Sequence, residues 1–224
     1  MSTNIIDGKA LAAGIQQEIR SKIQNLADAP RPPCLAVILV GDNPASQVYV
    51  RNKIKACLDT GITSLEKRLP VDASEVELLS LIKELNEDDS VDGILVQLPL
   101  PKNFDEQKVI RSIAAEKDVD GFHVENMGAL VTGLKGFRCC TPHGVMKMLE
   151  SVGCPLEGAN ALVIGRSNIV GKPMALMLLE KNATVTVAHS RTKNLKELAK
   201  NADIIVAAVG KAGLVTDDMV KPGA

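Results

Sequence analysis

A chain of 224 residues, 46% hydrophobic and 24% charged, carries enough apolar material for one large or two small packed domains. Its 26 basic and 27 acidic side chains leave a formal net charge of -1 with no long like-charge block, which argues against a polyanion-binding face. Aromatic residues at 2%, with no tryptophan and one tyrosine, argue against a base-stacking platform for single-stranded nucleic acid.

The stretch Met1 to Lys9 has no basic segment followed by an apolar run, so no signal peptide is expected. Asp7 can cap a first helix, whose apolar positions Leu11, Ile15, Ile19, Ile23 and Leu26 recur at helical spacing. Pro30, Pro32 and Pro33 stop it. Cys34 to Val40 predicts a buried strand, and its apolar run is too short to cross a bilayer. Gly41-Asp42-Asn43-Pro44 is a turn in which Asp or Asn caps and Pro44 opens a helix running to about Thr60, ended by Gly61. Thr63 to Leu69 is a second strand. Ser74 and Glu77 form a capping box ahead of Leu78, Leu81, Ile82 and Leu85. Gly93 to Leu98 is a third strand, closed by Pro99 and Pro101, and Asp105 begins another helix.

Lys117 to Gly121 is a loop, and little regular structure is legible until Thr141-Pro142 opens a helix that Gly153 ends. The rhythm then resumes: strand Asn160 to Gly165, helix Lys172 to Lys181, strand Ala183 to Ala188, helix Leu195 to Asn201, strand Asp203 to Val209. Short strands joined by helices imply an α/β fold with parallel sheets and right-handed crossovers. A domain junction is expected near residue 140. Cys34, Cys57, Cys139, Cys140 and Cys154 are odd in number and lack Cys-x-x-Cys spacing. They fit core thiols in a reducing cytoplasm better than a zinc site or a disulfide frame.

The apolar run Ala161 to Gly165 leads into Arg166-Ser167-Asn168-Ile169-Val170-Gly171-Lys172-Pro173. This resembles a dinucleotide loop with altered spacing: Ser167 replaces the second glycine, and Gly171 lies one residue late. Gly165 allows a tight turn, and amides at the next helix N-terminus can face a pyrophosphate. A plain strand-to-helix turn would read similarly. The following strand ends Ala188-His189-Ser190-Arg191-Thr192, with no carboxylate to grip a ribose hydroxyl. Hydroxyl and guanidinium groups suit a 2′-phosphate, so NADP is favoured over NAD. The expected architecture is an N-terminal three-layer α/β substrate domain over residues 1–140 and a Rossmann-like NADP-binding domain over residues 141–224.

Three features of the first half carry polar chemistry. Tyr49 and Lys53 lie four apart and share a helix face, where phenol and ammonium can hold a polar heterocycle. A desolvated lysine there can move protons, although a solvated amphipathic face has the same spacing. Gln97 stands at the carboxyl end of an apolar strand, where open α/β sheets bind ligands. Asp120, in Asp118-Val119-Asp120-Gly121-Phe122, can grip an amino-pyrimidine edge, pair with Lys53 or simply close an Asx turn.

Tyr-Val-x-x-Lys-x-Lys-Ala, Gly-Ile-Leu-Val-Gln-Leu-Pro-Leu-Pro, Lys-Asp-Val-Asp-Gly-Phe-His, Cys-Thr-Pro and Ile-Gly-Arg-Ser-x-Ile-Val-Gly-x-Pro occur in that order. The chain thereby resembles, over essentially its whole length, the bifunctional methylenetetrahydrofolate dehydrogenase/methenyltetrahydrofolate cyclohydrolase family. The resemblance implies hydride transfer from a folate methylene group to NADP, then hydrolysis to the 10-formyl compound. It implies Lys53 as the cyclohydrolase lysine, Tyr49 as the group orienting the folate, Gln97 as support for the lysine, and Asp120 as the pterin ligand. Val96 and Leu98 flank Gln97 in the folate wall. Gly165, Arg166 and Ser167 hold cofactor phosphates, and Ser190 lies near the 2′-phosphate. A homodimer through the nucleotide domain is implied, with no nucleic-acid, membrane or metal partner. The family pattern continues past Ala224 with a strand, a Pro-Gly-Gly-Val-Gly loop and a helix, so a truncated product is expected. A shikimate-dehydrogenase-like NADP oxidoreductase is the second reading, but it leaves Gly-Ile-Leu-Val-Gln-Leu-Pro unexplained. A non-catalytic nucleotide-binding module is the third.

Overall fold

The computed structural model describes residues 4–26 and 29–224. Met1 to Thr3, the start of the stretch read for a signal peptide, lie outside the described residues. The chain forms two compact units, Asp7–Glu125 and Asn126–Ala224, the second joined by residues 4–6.

In the first unit, α1 (Gly8–Gln24) is capped by Asp7, whose carboxylate accepts from the amides of Lys9 and Ala10. Strand β1 (Cys34–Val40) is buried except at Leu35. Helix α2 (Pro44–Thr60) begins with Asn43 accepting from the Ser46 amide and ends at Gly61, whose φ of +88° gives the left-handed cap. After β2 (Thr63–Leu69), α3 (Glu75–Glu87) starts with the expected reciprocal Ser74–Glu77 box. Strand β3 (Gly93–Val96) and α4 (Glu106–Ser112), capped by Asp105, complete the regular elements before residue 120.

The three strands form a parallel sheet in the order β2-β1-β3. Alternation along β1 sorts its side chains onto the two faces. Ala36, Ile38 and Val40 meet Leu78, Ile82 and Leu85 of α3, while Val37 and Leu39 meet Val50 and Ile54 of α2. Each fully buried leucine or isoleucine in these layers contributes about 2 kcal/mol.

Strand β3 is shorter than expected. It ends at Val96, although the Gln97 amide still donates to Ile38 O at 2.9 Å. Beyond it Leu98-Pro99 is a cis peptide, and Pro99 and Pro101 have no N–H to continue a ladder. A helix is also present where none was legible: α5 (Val124–Thr132). Gly128 and the β-branched Val124, Val131 and Thr132 weaken its local signal.

The second unit contains α6 (Cys140–Ser151), β4 (Asn160–Ile164), α7 (Gly171–Glu180), β5 (Thr184–Ala188), α8 (Leu195–Lys200) and β6 (Ile204–Ala207). The sheet is parallel, in the order β5-β4-β6. Met174 and Leu178 of α7 seal one face with Ala161 and Val163. Ala199 and Met219 cover Leu162 and Ile164 on the other. The segment around Met219 is tied down by Lys196–Asp218 and Lys221–Asp203 ion pairs. Among the described residues, no helix is long and apolar enough to cross a membrane.

One polar clamp closes the base of the first sheet. Arg31 Nη1 and Nη2 donate to Asp92 at 2.6 and 3.1 Å, and Asp92 also accepts from the Cys34 amide at 2.7 Å. The guanidinium holds the Asp92 carboxyl below the usual carboxylate range, against a smaller opposing effect of burial. A carboxyl with a depressed folded value stabilises the fold above its unfolded value and loses that contribution as pH falls through the folded one. The thermal midpoint is therefore expected to drop on acidification through and below the carboxylate range. Arg31→Ala should lower the midpoint at neutral pH and flatten this acid limb, as read by thermal unfolding against pH. An unchanged limb would remove the clamp from the account.

Candidate active site

The face of the first sheet covered by α2 brings Lys53 and Gln97 together. Val50 is fully buried and Ile54 packs beside it, which fixes the rotation of α2 over β1. Lys53 lies between them in sequence and is half-buried. Its Nζ donates to Gln97 Oε1 at 3.2 Å. Gln97 Nε2 donates to Leu98 O at 2.7 Å. With its nitrogen engaged, the amide presents its oxygen to the lysine, so the orientation of Gln97 is set by the backbone just past β3. Tyr49, one helical turn before Lys53, is 62% exposed. A phenol ring left out of the core beside an ammonium is open to a planar ligand.

Val96 and Leu98 are not on this face. Side chains alternate along a strand, so the neighbours of Gln97 point the other way. Val96 is buried in the α3-side core and Leu98 packs against it. Any contact from Val96 to a ligand beside Lys53 falls to its backbone.

Asp120 is half-buried in a loop running beside β3. Ile94 N donates to Lys117 O at 2.7 Å, and an Ile94–Asp118 bridge extends the sheet at that edge. Asp118, only 1% exposed, accepts from the His123 amide at 2.7 Å and closes the turn in which Gly121 takes a φ of +69°. Gly93 lets Val119 approach closely: a Cβ there would lie 2.5 Å from Val119 Cγ1, and that side chain would have to shift. Asp118 and Gly93 thus support the loop without having stood out in the sequence, where Asp120 was weighed as ligand, as partner of Lys53 and as an Asx turn.

In the second unit Gly165 follows β4 with a φ of +127°, and its amide donates to Ala188 O at 2.8 Å. That bond joins the two loops leaving the carboxyl ends of β4 and β5, which brings Gly165, Arg166 and Ser167 to the same sheet edge as Ser190. Arg166, Ser167, Ser190 and Arg191 are all exposed there. Ser167 Oγ accepts from the amides of Val170 and Gly171 at 3.2 and 3.3 Å, which ties the loop together just ahead of α7. The amides of the N-cap residue Val170 and of Gly171, the first helical residue, are thereby satisfied within the loop rather than presented to a phosphate. His189 is committed to its turn: its amide donates to Thr192 Oγ1 at 2.8 Å, and its Nδ1 accepts from Arg191 N at 3.2 Å.

A parallel sheet whose strand runs through a glycine turn into a helix N-terminus is the architecture of nucleotide-dependent oxidoreductases. The basic edge without a carboxylate fits a phosphorylated ribose. The family model "Tetrahydrofolate dehydrogenase/cyclohydrolase, catalytic domain" matches residues 6–120, and that family's "NAD(P)-binding domain" matches residues 139–224. This chain belongs to the tetrahydrofolate dehydrogenase/cyclohydrolase family. It is 61% identical over all 224 residues to the bifunctional protein FolD of Burkholderia thailandensis, covering 79% of that protein. The bifunctional FolD structure from Campylobacter jejuni matches with a TM-score of 0.96 at 52% identity, covering 98% of this chain and 78% of that one. The FolD structure from Trypanosoma brucei, complexed with NADP cofactor and inhibitor, matches with a TM-score of 0.94 at 34% identity, covering 99% and 77%.

Proposed function

We propose that this chain oxidises 5,10-methylenetetrahydrofolate with NADP and hydrolyses the methenyl product to 10-formyltetrahydrofolate. The observation that carries the hydrolytic half is the Lys53–Gln97 contact of 3.2 Å at the carboxyl end of β3. Residues 7–125 carry the folate site and residues 126–224 the NADP site, a boundary that falls earlier in the chain than the one expected near residue 140. Gly165, Arg166, Ser167 and Ser190 hold the cofactor, which when bound supplies the hydride acceptor. The two folate nitrogens stabilise the cation left on the bridging carbon, so the chain's task in this step is alignment. Tyr49 lies against the pterin, and Asp120 accepts from its amino edge.

In the second step a water oxygen bonds to the methenyl carbon and the bond from that carbon to N5 breaks. One water proton ends on N5 and the other is released, leaving the formyl group on N10. Lys53 assists these transfers, and Gln97 holds the lysine in line with the carbon. The enzyme acts as a cytoplasmic homodimer built through the NADP domain. The uncharged β5, at one end of its sheet, supports that arrangement.

A two-wavelength assay following NADPH and methenyltetrahydrofolate together tests this reading. NADPH is expected to accumulate while the methenyl species stays low. NADP reduction with shikimate but not with the folate would install the competing oxidoreductase. Protection against thermal unfolding by NADP without turnover would make the chain a binding module.

A further inference from the structure

The loop bearing Asp120 is held by a lysine that points away from the ligand face. Lys117 Nζ donates to the carbonyls of Leu85, Asn86 and Asp88 at 3.1, 2.8 and 2.9 Å. These three bonds use all the donors of an ammonium group. They fall at the carboxyl end of α3, where carbonyls lack helical partners and the dipole favours a cation. Asn86 secures the same helix end to the chain before the loop: its Nδ2 donates to Ser112 O at 2.7 Å, and its Oδ1 accepts from Ala114 N at 2.9 Å. On the other side Lys117 O accepts from Ile94 N, and Val119 rests on the bare Cα of Gly93. The loop is therefore gripped between a helix end and a strand edge on either side of its first two residues.

We infer that Lys117 is a positioning residue for folate recognition, fixing where the Asp120 carboxylate stands by locking its loop to the end of α3. Lys117 touches no ligand in this account. Its effect travels through the backbone from residue 117 to residue 120. The inference rests on the reading of Asp120 as the pterin ligand.

The test pairs amide hydrogen exchange with equilibrium binding of tetrahydrofolate and of NADP. Lys117→Met keeps the apolar stem and removes the ammonium. It should speed exchange at residues 118–123 and weaken tetrahydrofolate binding by about tenfold while NADP affinity stays unchanged. Lys117→Arg, which can still donate to the helix end, should recover most of the affinity. Gly93→Ala displaces Val119 from the opposite side and should reproduce the Met phenotype, and it decides the matter if Lys117→Met does not fold. Unchanged exchange in the loop would overturn the inference. So would faster exchange with unaltered folate affinity, provided Asp120→Asn does weaken binding. If Asp120→Asn has no effect either, the fault lies with Asp120 as the pterin ligand, while the exchange result still reports on the anchor.

Discussion

Lys53→Met is expected to abolish conversion of methenyltetrahydrofolate to the 10-formyl product while hydride transfer to NADP survives to a useful extent. The substitution keeps an unbranched apolar side chain and removes the ammonium that donates to Gln97 Oε1. A positioned proton-transfer group contributes roughly 10²–10⁴ in rate, and a loss of that size is expected for hydrolysis. Oxidation at the bridging carbon needs aligned rings rather than a proton carrier, so its loss should be far smaller. Absorbance of the methenyl intermediate then rises in the variant, because it is made and no longer consumed. Equal loss of both activities would show that Lys53 serves substrate binding instead, and the division of labour would be abandoned.

Gly171→Ala is expected to have the largest effect on the NADP unit. A Cβ at Gly171 would stand 2.3 Å from Gly165 O, 2.5 Å from Gly165 C and 2.7 Å from Arg166 N. All three atoms are backbone, so no rotamer change relieves the contact. Moving α7 away from β4 would open the packing of the fully buried Met174 and Leu178 and break the hydrogen bond from the Gly171 amide to Ser167 Oγ. Overpacking of this kind costs on the order of 3 kcal/mol, which lowers the melting midpoint of a unit this size by about 15 °C. NADP affinity should fall by at least about 100-fold, because the loop that would hold the phosphates can no longer close on the strand. Calorimetric unfolding with and without NADP checks both expectations. A variant that melts normally and still gains stability from NADP would show that the close approach is dispensable.

The alternation of helices and strands was legible because its signals are local. Asp7, Asn43, Ser74 with Glu77, and Asp105 each cap a helix within a few residues, and the apolar periods that follow need no distant partner. The unusual glycine spacing at Gly165 and Gly171 was visible too. That the late glycine is demanded by contact with the early one emerged only from their proximity in three dimensions. Helix α5 escaped notice because Gly128 and three β-branched residues make its sequence a poor helix in isolation.

Within the candidate site, residue types and order pointed to Tyr49, Lys53, Gln97 and Asp120, and family membership followed from the same motifs. Sequence alone thus determined most of the elements, their alternation and the identity of the chemical groups, since these depend on neighbours within about one helical turn or one strand. Tertiary structure decided the rest: the meeting of Lys53 with Gln97 across 44 positions, the turning of Val96 and Leu98 to the opposite sheet face, and the capture of Lys117 by a helix end some 30 positions earlier. Those pairings depend on strand register and on which helix face is buried, and both are set by packing between segments that no local pattern connects.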